Sequence, residues 1–424
     1  MWYRRAEGDG TYLLLLGFDL FLRERSVVAA QRVFPGPVVG MACFGGPPLR
    51  PHRFIDHVLP GSPLSEEAAL AAVTGFEAAT GLRPRAVVPL LDLTLKPGRR
   101  VAERYGLPYL TAECIENSRD KDLMKQVFHR HGLPAPRHAV FSDREELDAA
   151  VAHVGLPCVL KPRELGGSLG VVRVDRAEDL EAAFAHCVHA LDSHAEQLFV
   201  GKGRLQAETF VPAEAEVSIE VLNAGSQRTI LAVTDKALGP SPFFAEMGHA
   251  VPSAYSGNAR LRELALTSCA ALGIDRGVAH VEVRITSPDE MYLIEVGARP
   301  GGDGILDQVE RAYGISPYEL HVRAYLDDLP ELPAVPEPAG TSAIAFLKAR
   351  PGRIAEVEIP AELPPEVVSL YVTARPGDAA GSASDYDQRE GAVELFWPEI
   401  ATERPTDRHV EIAARLAERI FRVA

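Results

Sequence analysis

Short apolar runs alternate with amphipathic stretches through residues 1–118. Segments 12–18, 38–44 and 86–91 read as strands, Glu66–Thr80 as a helix closed by Gly81, and 101–105 as a short helix closed by Gly106. Strand–helix alternation of this kind predicts a small α/β layer. No GxGxxG follows the first strand, so a dinucleotide site is not supported. Further on, Ser118 is placed to cap a helix whose first turn holds Asp120 and Asp122, where carboxylates meet the positive end of the helix dipole. Leu123, Val127 and Phe128 share one face, and Gly132 with Pro134 ends the element. Ser142 and Glu145 form an S-x-x-E capping box for a second helix that stops near Gly155 and Pro157.

A strand at 158–160 leads into Lys161-Pro162, a loop at 163–170, a return strand at 171–174 and a helix at 177–189. From about residue 205 the pattern is β-rich, with strands at 205–211, 217–222 and 229–233. A helix at 260–272 and two strands, 279–285 and 291–296, follow. Pro330, Pro333, Pro336 and Pro338 mark a linker. Beyond it, strands at 341–347 and 367–373 precede a terminal amphipathic helix. The predicted divisions are 1–118, 119–205, 206–330 and 331–424.

Composition narrows the function classes. A chain of 424 residues accommodates two to four domains, and its 46% hydrophobic and 24% charged content is that of a globular protein. With 44 basic against 59 acidic residues, a formal charge of −15, no polyanion footprint is visible, so nucleic acid and anionic membrane are excluded as first choices. Only seven of the basic residues are lysines, so each lysine raises the question of why arginine would not serve. Five scattered cysteines without CxxC fit reduced thiols and a cytoplasmic location. Arg4 and Arg5 before the apolar run at 12–16 imitate a signal peptide, but Asp19 and the charges Arg23, Glu24 and Arg25 favour a buried strand. No stretch is long enough for a membrane span.

Three constellations carry chemistry. The loop Lys161-Pro162-Arg163-Glu164-Leu165-Gly166-Gly167-Ser168-Leu169-Gly170 can close backbone N–H groups around a phosphate, since glycine has no Cβ to interfere. It is not a Walker A loop, and an ordinary hairpin turn has the same bare pattern. Glu282 and Glu295 each interrupt an apolar strand. If those strands form a hairpin, both carboxylates reach one face and offer oxygens to a hard cation. The turn after Glu295, Val-Gly-Ala-Arg-Pro-Gly-Gly-Asp-Gly, would present Arg299 to an anion. The third is Phe243-Phe244-Ala245-Glu246-Met247-Gly248-His249, whose histidine on its own is more often a core or surface residue than a catalyst. There is no G-x-S-x-G elbow and no HExxH.

In this order and spacing, Asp120-Lys121, Lys161-Pro162, Gly166–Gly170, Glu208-Thr209-Phe210-Val211, and Glu282 and Glu295 with Arg299 resemble the ATP-grasp superfamily of carboxylate–amine ligases. The likeness extends to about Ile305. Phe244-x-Glu246-x-Gly248-His249 and Glu295-x-x-x-Arg299-x-Gly301-Gly302-Asp303 resemble the bacterial L-amino acid ligases more closely. The resemblance implies an α/β (α+β) ATP-grasp fold. Its parts would be a pre-ATP-grasp α/β domain (1–118), a small lid (119–205), a larger β-rich part with the metal and catalytic residues (206–330), and an additional C-terminal α+β domain (331–424).

It further implies ATP contacts from Lys121, Lys161, Gly167, Ser168, Leu169, Glu208, Phe210, Val211 and the ribose-binding Glu216, with Lys125 an alternative to Lys121. Metal ligands would be Glu282 and Glu295, holding Mg²⁺ with Mn²⁺ able to substitute. Glu246, Arg299 and Gly302 would bind substrate, and Arg299 and His249 would be catalytic. Partners would be a small-molecule carboxylate and amine, with a homodimer open. One departure stands out: the family commonly has Glu-x-Asn at the second metal carboxylate, and here the chain reads Glu295-Val296-Gly297. The expected reaction activates a carboxylate as an acyl phosphate that an amine then attacks, releasing ADP and phosphate. Other ATP-grasp chemistry, carboxylase-like or nucleotide-biosynthetic, and an ATP-binding module without turnover are the alternatives.

Overall fold

The computed structural model describes residues 10–19, 24–43, 54–198, 200, 205–381, 388–400 and 406–424. Arg4, Arg5, Arg23, Lys202 and the Phe44 end of one expected strand lie outside these residues.

The N-terminal part is a four-stranded parallel sheet in the order His57–Val58, Val38–Met41, Thr11–Leu16, Arg83–Pro89. Thr11–Leu16 is central and covered on both faces. Leu13 and Leu15 pack into one core while Tyr12, Leu14 and Leu16 pack into another. That explains why the strand reads as an unbroken apolar run: no position along it faces water. The Glu66–Thr80 helix has the expected ends, with the Ser65 hydroxyl accepting from the Ala68 N–H and Gly81 left-handed. The helix expected at 101–105 is longer, Leu95–Tyr105. Pro97 lies in its first turn, where no N–H is needed, so the proline does not break it.

Two caps differ from the sequence reading. Ser118 lies inside the helix Ala112–Arg119, and Asp120 caps Lys121–Arg130 by accepting from the N–H groups of Asp122 and Leu123. Asp143, not Ser142, caps Arg144–Val154, and Glu146 rather than Glu145 reaches back to the Ser142 N–H at 2.8 Å. In both cases a carboxylate stands one or two residues after the serine and accepts from two backbone donors.

A second, antiparallel sheet has the order His138–Phe141, Leu205–Thr209, Cys158–Pro162, Val172–Val174. The helices Arg144–Val154 and Leu180–Leu198 pack on it. The third sheet is the largest, with eight antiparallel strands. Its order is Glu290–Gly297, Arg276–Ser287, Ala215–Ala224, Gln227–Leu238, Glu246–Val251, Thr341–Leu347, Gly391–Trp397, Val367–Val372. The sheet thus continues across the proline-rich stretch. Glu246–Val251 joins the two halves, and no strand was expected there because its glutamate, glycine and histidine break the apolar pattern. Among the described residues no helix is long and apolar enough to cross a membrane.

Candidate active site

A cleft opens between the second sheet and the eight-stranded sheet. The hairpin of Arg276–Ser287 and Glu290–Gly297 brings Glu282 directly opposite Glu295, while their neighbours Val281 and Val296 pair on the face that packs into the core. Alternation along the strands therefore delivers both carboxylates to the cleft. Two hard oxygen donors on one face, with space left for phosphate oxygens, form a donor set that fits a divalent cation of the magnesium type.

Each carboxylate already has a cationic neighbour. Lys121 Nζ lies 3.1 Å from Glu295 and donates to the Leu165 carbonyl at 2.8 Å. Lys236 Nζ lies 2.7 Å from Glu282, 2.5 Å from Glu246 and 3.4 Å from Glu216. Burial opposes the charge on Lys236, but those three carboxylates hold its ammonium well above the ordinary lysine range. Burial likewise opposes the charge on Glu282, and Lys236 and His280 overrule it, keeping the carboxyl well below its usual range. His280 contacts Glu220 at 2.5 Å and Glu282 at 3.3 Å. Against the cost of burial, Glu220 pushes His280 up to about 9.

At the other end of the cleft, Lys161 Nζ is 2.7 Å from Glu208, and the fully buried Lys125 is 3.5 Å from the same carboxylate. Burial would raise Glu208, yet Lys125 and Lys161 hold it at about 2. Burial lowers Lys125 to about 8 despite Glu208. Lys161 and Lys121 thus meet different carboxylates, and Lys125 shares Glu208 with Lys161 while donating to the Leu293 and Ile294 carbonyls beside Glu295. Phe210 lies under two guanidinium groups, Arg173 at 4.1 Å and Arg284 at 5.1 Å from its centre. This gives the cleft a flat apolar wall beside charge, suited to a stacked base. Gly167, Ser168 and Gly170 all have left-handed backbones in the glycine-rich loop, and a Cβ on Gly170 would meet Ala190 at 2.7 Å. The Ser168 hydroxyl donates to the Phe244 carbonyl at 2.9 Å, tying the loop to the segment before Glu246.

Beyond Lys236 lies a pocket of acceptors. His249 Nε2 is 3.2 Å from Glu246 and 3.9 Å from Asp303. Glu246, with Asp303 adding to it, raises the imidazole's proton affinity against its burial. Arg299 is held by Asp92 of the N-terminal sheet unit, Nε to Oδ2 at 2.7 Å. A Cβ on Gly297 would stand 3.2 Å from the other oxygen of Asp92 and 3.4 Å from Arg299 Nε. A side chain at position 297 would therefore crowd the Asp92–Arg299 pair, which would have to give way by a few tenths of an ångström.

All but three of the site residues expected from sequence line this one cleft. Leu169 packs its side chain into the core of the second sheet. His249 is fully buried behind Glu246, and Gly302 accepts from the Ile305 N–H at the start of a helix. Sequence reasoning missed Lys236, His280, Arg284, Asp92 and Arg389. Lysine scarcity was a usable pointer to Lys236, and His280 stands two residues before Glu282 on the same strand face. Nothing local marks Asp92 or Arg389, whose partners are more than 80 residues away.

An ATP-grasp domain matches residues 154–307. The D-alanine–D-alanine ligase of Cupriavidus metallidurans is 30% identical over 238 residues, 53% of this chain and 68% of that protein. The alanine–anticapsin ligase of Bacillus subtilis is 27% identical over 243 residues, 54% of this chain and 51% of that protein. The chain's match thus spans about half the length of the alanine–anticapsin ligases. In fold, an L-amino acid ligase from Bacillus licheniformis superposes with a TM-score of 0.80 at 23% identity, covering 100% of this chain and 99% of that one. A phosphoribosylglycinamide synthetase from Anaerococcus prevotii gives 0.68 at 16% identity, covering 98% and 100%.

Proposed function

The chain belongs to the ATP-grasp family, and from that premise we propose that it is an ATP-dependent carboxylate–amine ligase that activates an amino acid and joins it to a second amino acid or amine. The observation that carries this reading is a cleft lined by Lys161, Glu208 and Phe210 and, further along, by Glu246, with Asp303 and the buried His249 behind that glutamate. Between these two parts stand Glu282, Glu295 and Lys236. An α-amino acid carries a cation beside its reacting carboxylate, so a site selective for it needs a fixed anion there. Glu246 supplies it. The three acceptors could in principle hold a metal. However, Lys236 already faces Glu246 and Arg389 faces Asp303, which suits a singly charged ammonium better than a dication.

A carboxylate does not acylate an amine at neutral pH because its oxygen leaves poorly. Transfer of the γ-phosphoryl group of ATP to that oxygen releases ADP and gives an acyl phosphate. The amine attacks the carbonyl, loses a proton, and inorganic phosphate departs. Mg²⁺, held by Glu282 and Glu295, would neutralise charge on the phosphate oxygens. Lys236 adds a fixed positive charge beside Glu282, and Arg299, aimed by Asp92, meets the anion that develops at the reacting carboxyl. His249, buried behind Glu246 with Nε2 3.2 Å from its carboxylate, has its proton affinity raised by that carboxylate and by Asp303 and so sets the charge behind the pocket. The glycine-rich loop, tied to Phe244 through Ser168, covers the cleft and keeps water from the acyl phosphate.

The test is ADP release with each of the twenty L-amino acids, compared with the acids that lack the amine. The ligase reading expects release that depends on an amino acid, and Glu246→Ala should raise the KM for it while ATP affinity stays unchanged. Equal or faster release with the amine-free acids would replace this reading with that of a general carboxylate–amine ligase. ATP binding without release would make the chain a binding module.

A further inference from the structure

The segment beyond the prolines contributes to the acceptor pocket. Its Thr341–Leu347 strand pairs with Glu246–Val251, Ile344 opposite His249 and Ala345 opposite Gly248, and Gly391–Trp397 lies next in the sheet. Two side chains from this segment stand behind Glu246. Arg389 grips Asp303 with both arms of its fork, Nη1 to Oδ2 at 2.7 Å and Nη2 to Oδ1 at 2.9 Å. Its Cζ sits 3.7 Å from the centre of the Phe346 ring, and its side chain is only 9% exposed. The same ring meets the His249 imidazole edge-on, with planes at 87°. Arg389 also reaches the backbone carbonyl of Glu246 at 3.5 Å.

Asp303 needs such a hold. It has φ +52°, an uncommon conformation for a residue with a side chain, and it lies in the turn between Arg299 and the Ile305–Tyr313 helix. A two-armed guanidinium contact fixes the plane of a carboxylate as well as its position. Released from it, Asp303 would carry an uncompensated charge within reach of His249. The imidazole now shared with Glu246 would be drawn away.

We propose that Arg389 is a positioning residue for the amino-acid end of the cleft: by neutralising and orienting Asp303 it leaves Glu246 as the carboxylate that receives the substrate's ammonium group. The C-terminal segment thereby sets the preference for α-amino acids over acids without the amine. This inference rests on the ligase reading above.

The experiment uses the full chain, the L-amino acid that gives the fastest ADP release, and its analogue lacking the amine. Removing one partner of a buried, hydrogen-bonded ion pair is costly because the other charge remains. Arg389→Met should raise the KM for the amino acid about tenfold or more, with kcat changed less. Its amino-acid preference over the analogue should fall by a similar factor, with ATP affinity by calorimetry within about twofold of wild type. Arg389→Lys, which keeps charge but not the fork, should show a smaller loss in the same direction. The double variant D303N/R389M, with neither charge, should recover part of the preference. An unchanged preference in Arg389→Met, or in Arg389→Lys if the first variant does not fold, overturns the inference, as does a double variant no better than the single one. A wild type with no amino-acid-dependent release overturns the ligase reading instead.

Discussion

Glu282 and Glu295 face one another in register, Glu295 beside Lys121 and Glu282 beside Lys236 and His280. Glu282→Gln and Glu295→Gln keep shape and remove charge. Each should lower turnover by on the order of 10²–10³, the usual cost of one lost electrostatic contact in a site of this kind. Near-normal ADP release in either variant would put the cation elsewhere. Glu208 offers a second test, in stability. Its carboxyl is held at about 2 against an ordinary 4.5. A depressed carboxylate contributes stability that is present above its unfolded value and is lost as pH falls through its folded value. The window is therefore pH 4.5 to 2, and the linked free energy is about 3 kcal/mol at most. Acid titration of unfolding free energy should show a shallower loss across that window in Glu208→Gln than in wild type; identical slopes would deny the charged triad with Lys125 and Lys161. Residue identity alone singled out Glu282 and Glu295, which the hairpin brings face to face in the cleft, because a lone glutamate in an apolar strand has few reasons to be there. It could not disclose Asp92, which stands beside Gly297 only once the chain has folded.

The elements follow from pattern where pattern is strong. The strand Thr11–Leu16, apolar from Tyr12 on, and the capped Glu66–Thr80 helix are legible because pattern and end signals point to the same structure. Glu246–Val251 was hidden for the opposite reason: its polar residues serve the cleft, and its strand character comes from two neighbours in the sheet. The helix caps were displaced because an aspartate stands one or two residues after each serine, and the charged acceptor takes two donors. Asp143→Ala should therefore cost about 0.5–2 kcal/mol in thermal or denaturant unfolding, and Ser142→Ala markedly less. The reverse order would restore Ser142 as the cap.

On the scale of the molecule, the cleft draws on every part of the chain. The N-terminal parallel sheet unit sends Asp92 to Arg299, the second sheet brings Lys161 and the glycine loop, and the eight-stranded sheet carries the carboxylates. The segment beyond the prolines adds Arg389. Composition pointed to a globular protein and away from polyanion partners as a first choice, but long-range pairs such as Asp92–Arg299 depend on topology that no local pattern encodes. Asp92→Ala should lower kcat while leaving ATP affinity by calorimetry unchanged, since Arg299 would lose its aim without any change at the Phe210 end. A fall in ATP affinity with kcat intact would separate Asp92 from the chemistry. The central claim is that an amino-acid carboxylate is phosphorylated before it meets the amine, and isotope transfer tests it most directly. With both carboxylate oxygens of the activated amino acid labelled with ¹⁸O, mass spectrometry of the products should find one label in the released phosphate and the other in the new amide. Phosphate free of label, alongside labelled amide formed in the same reaction, would contradict the account.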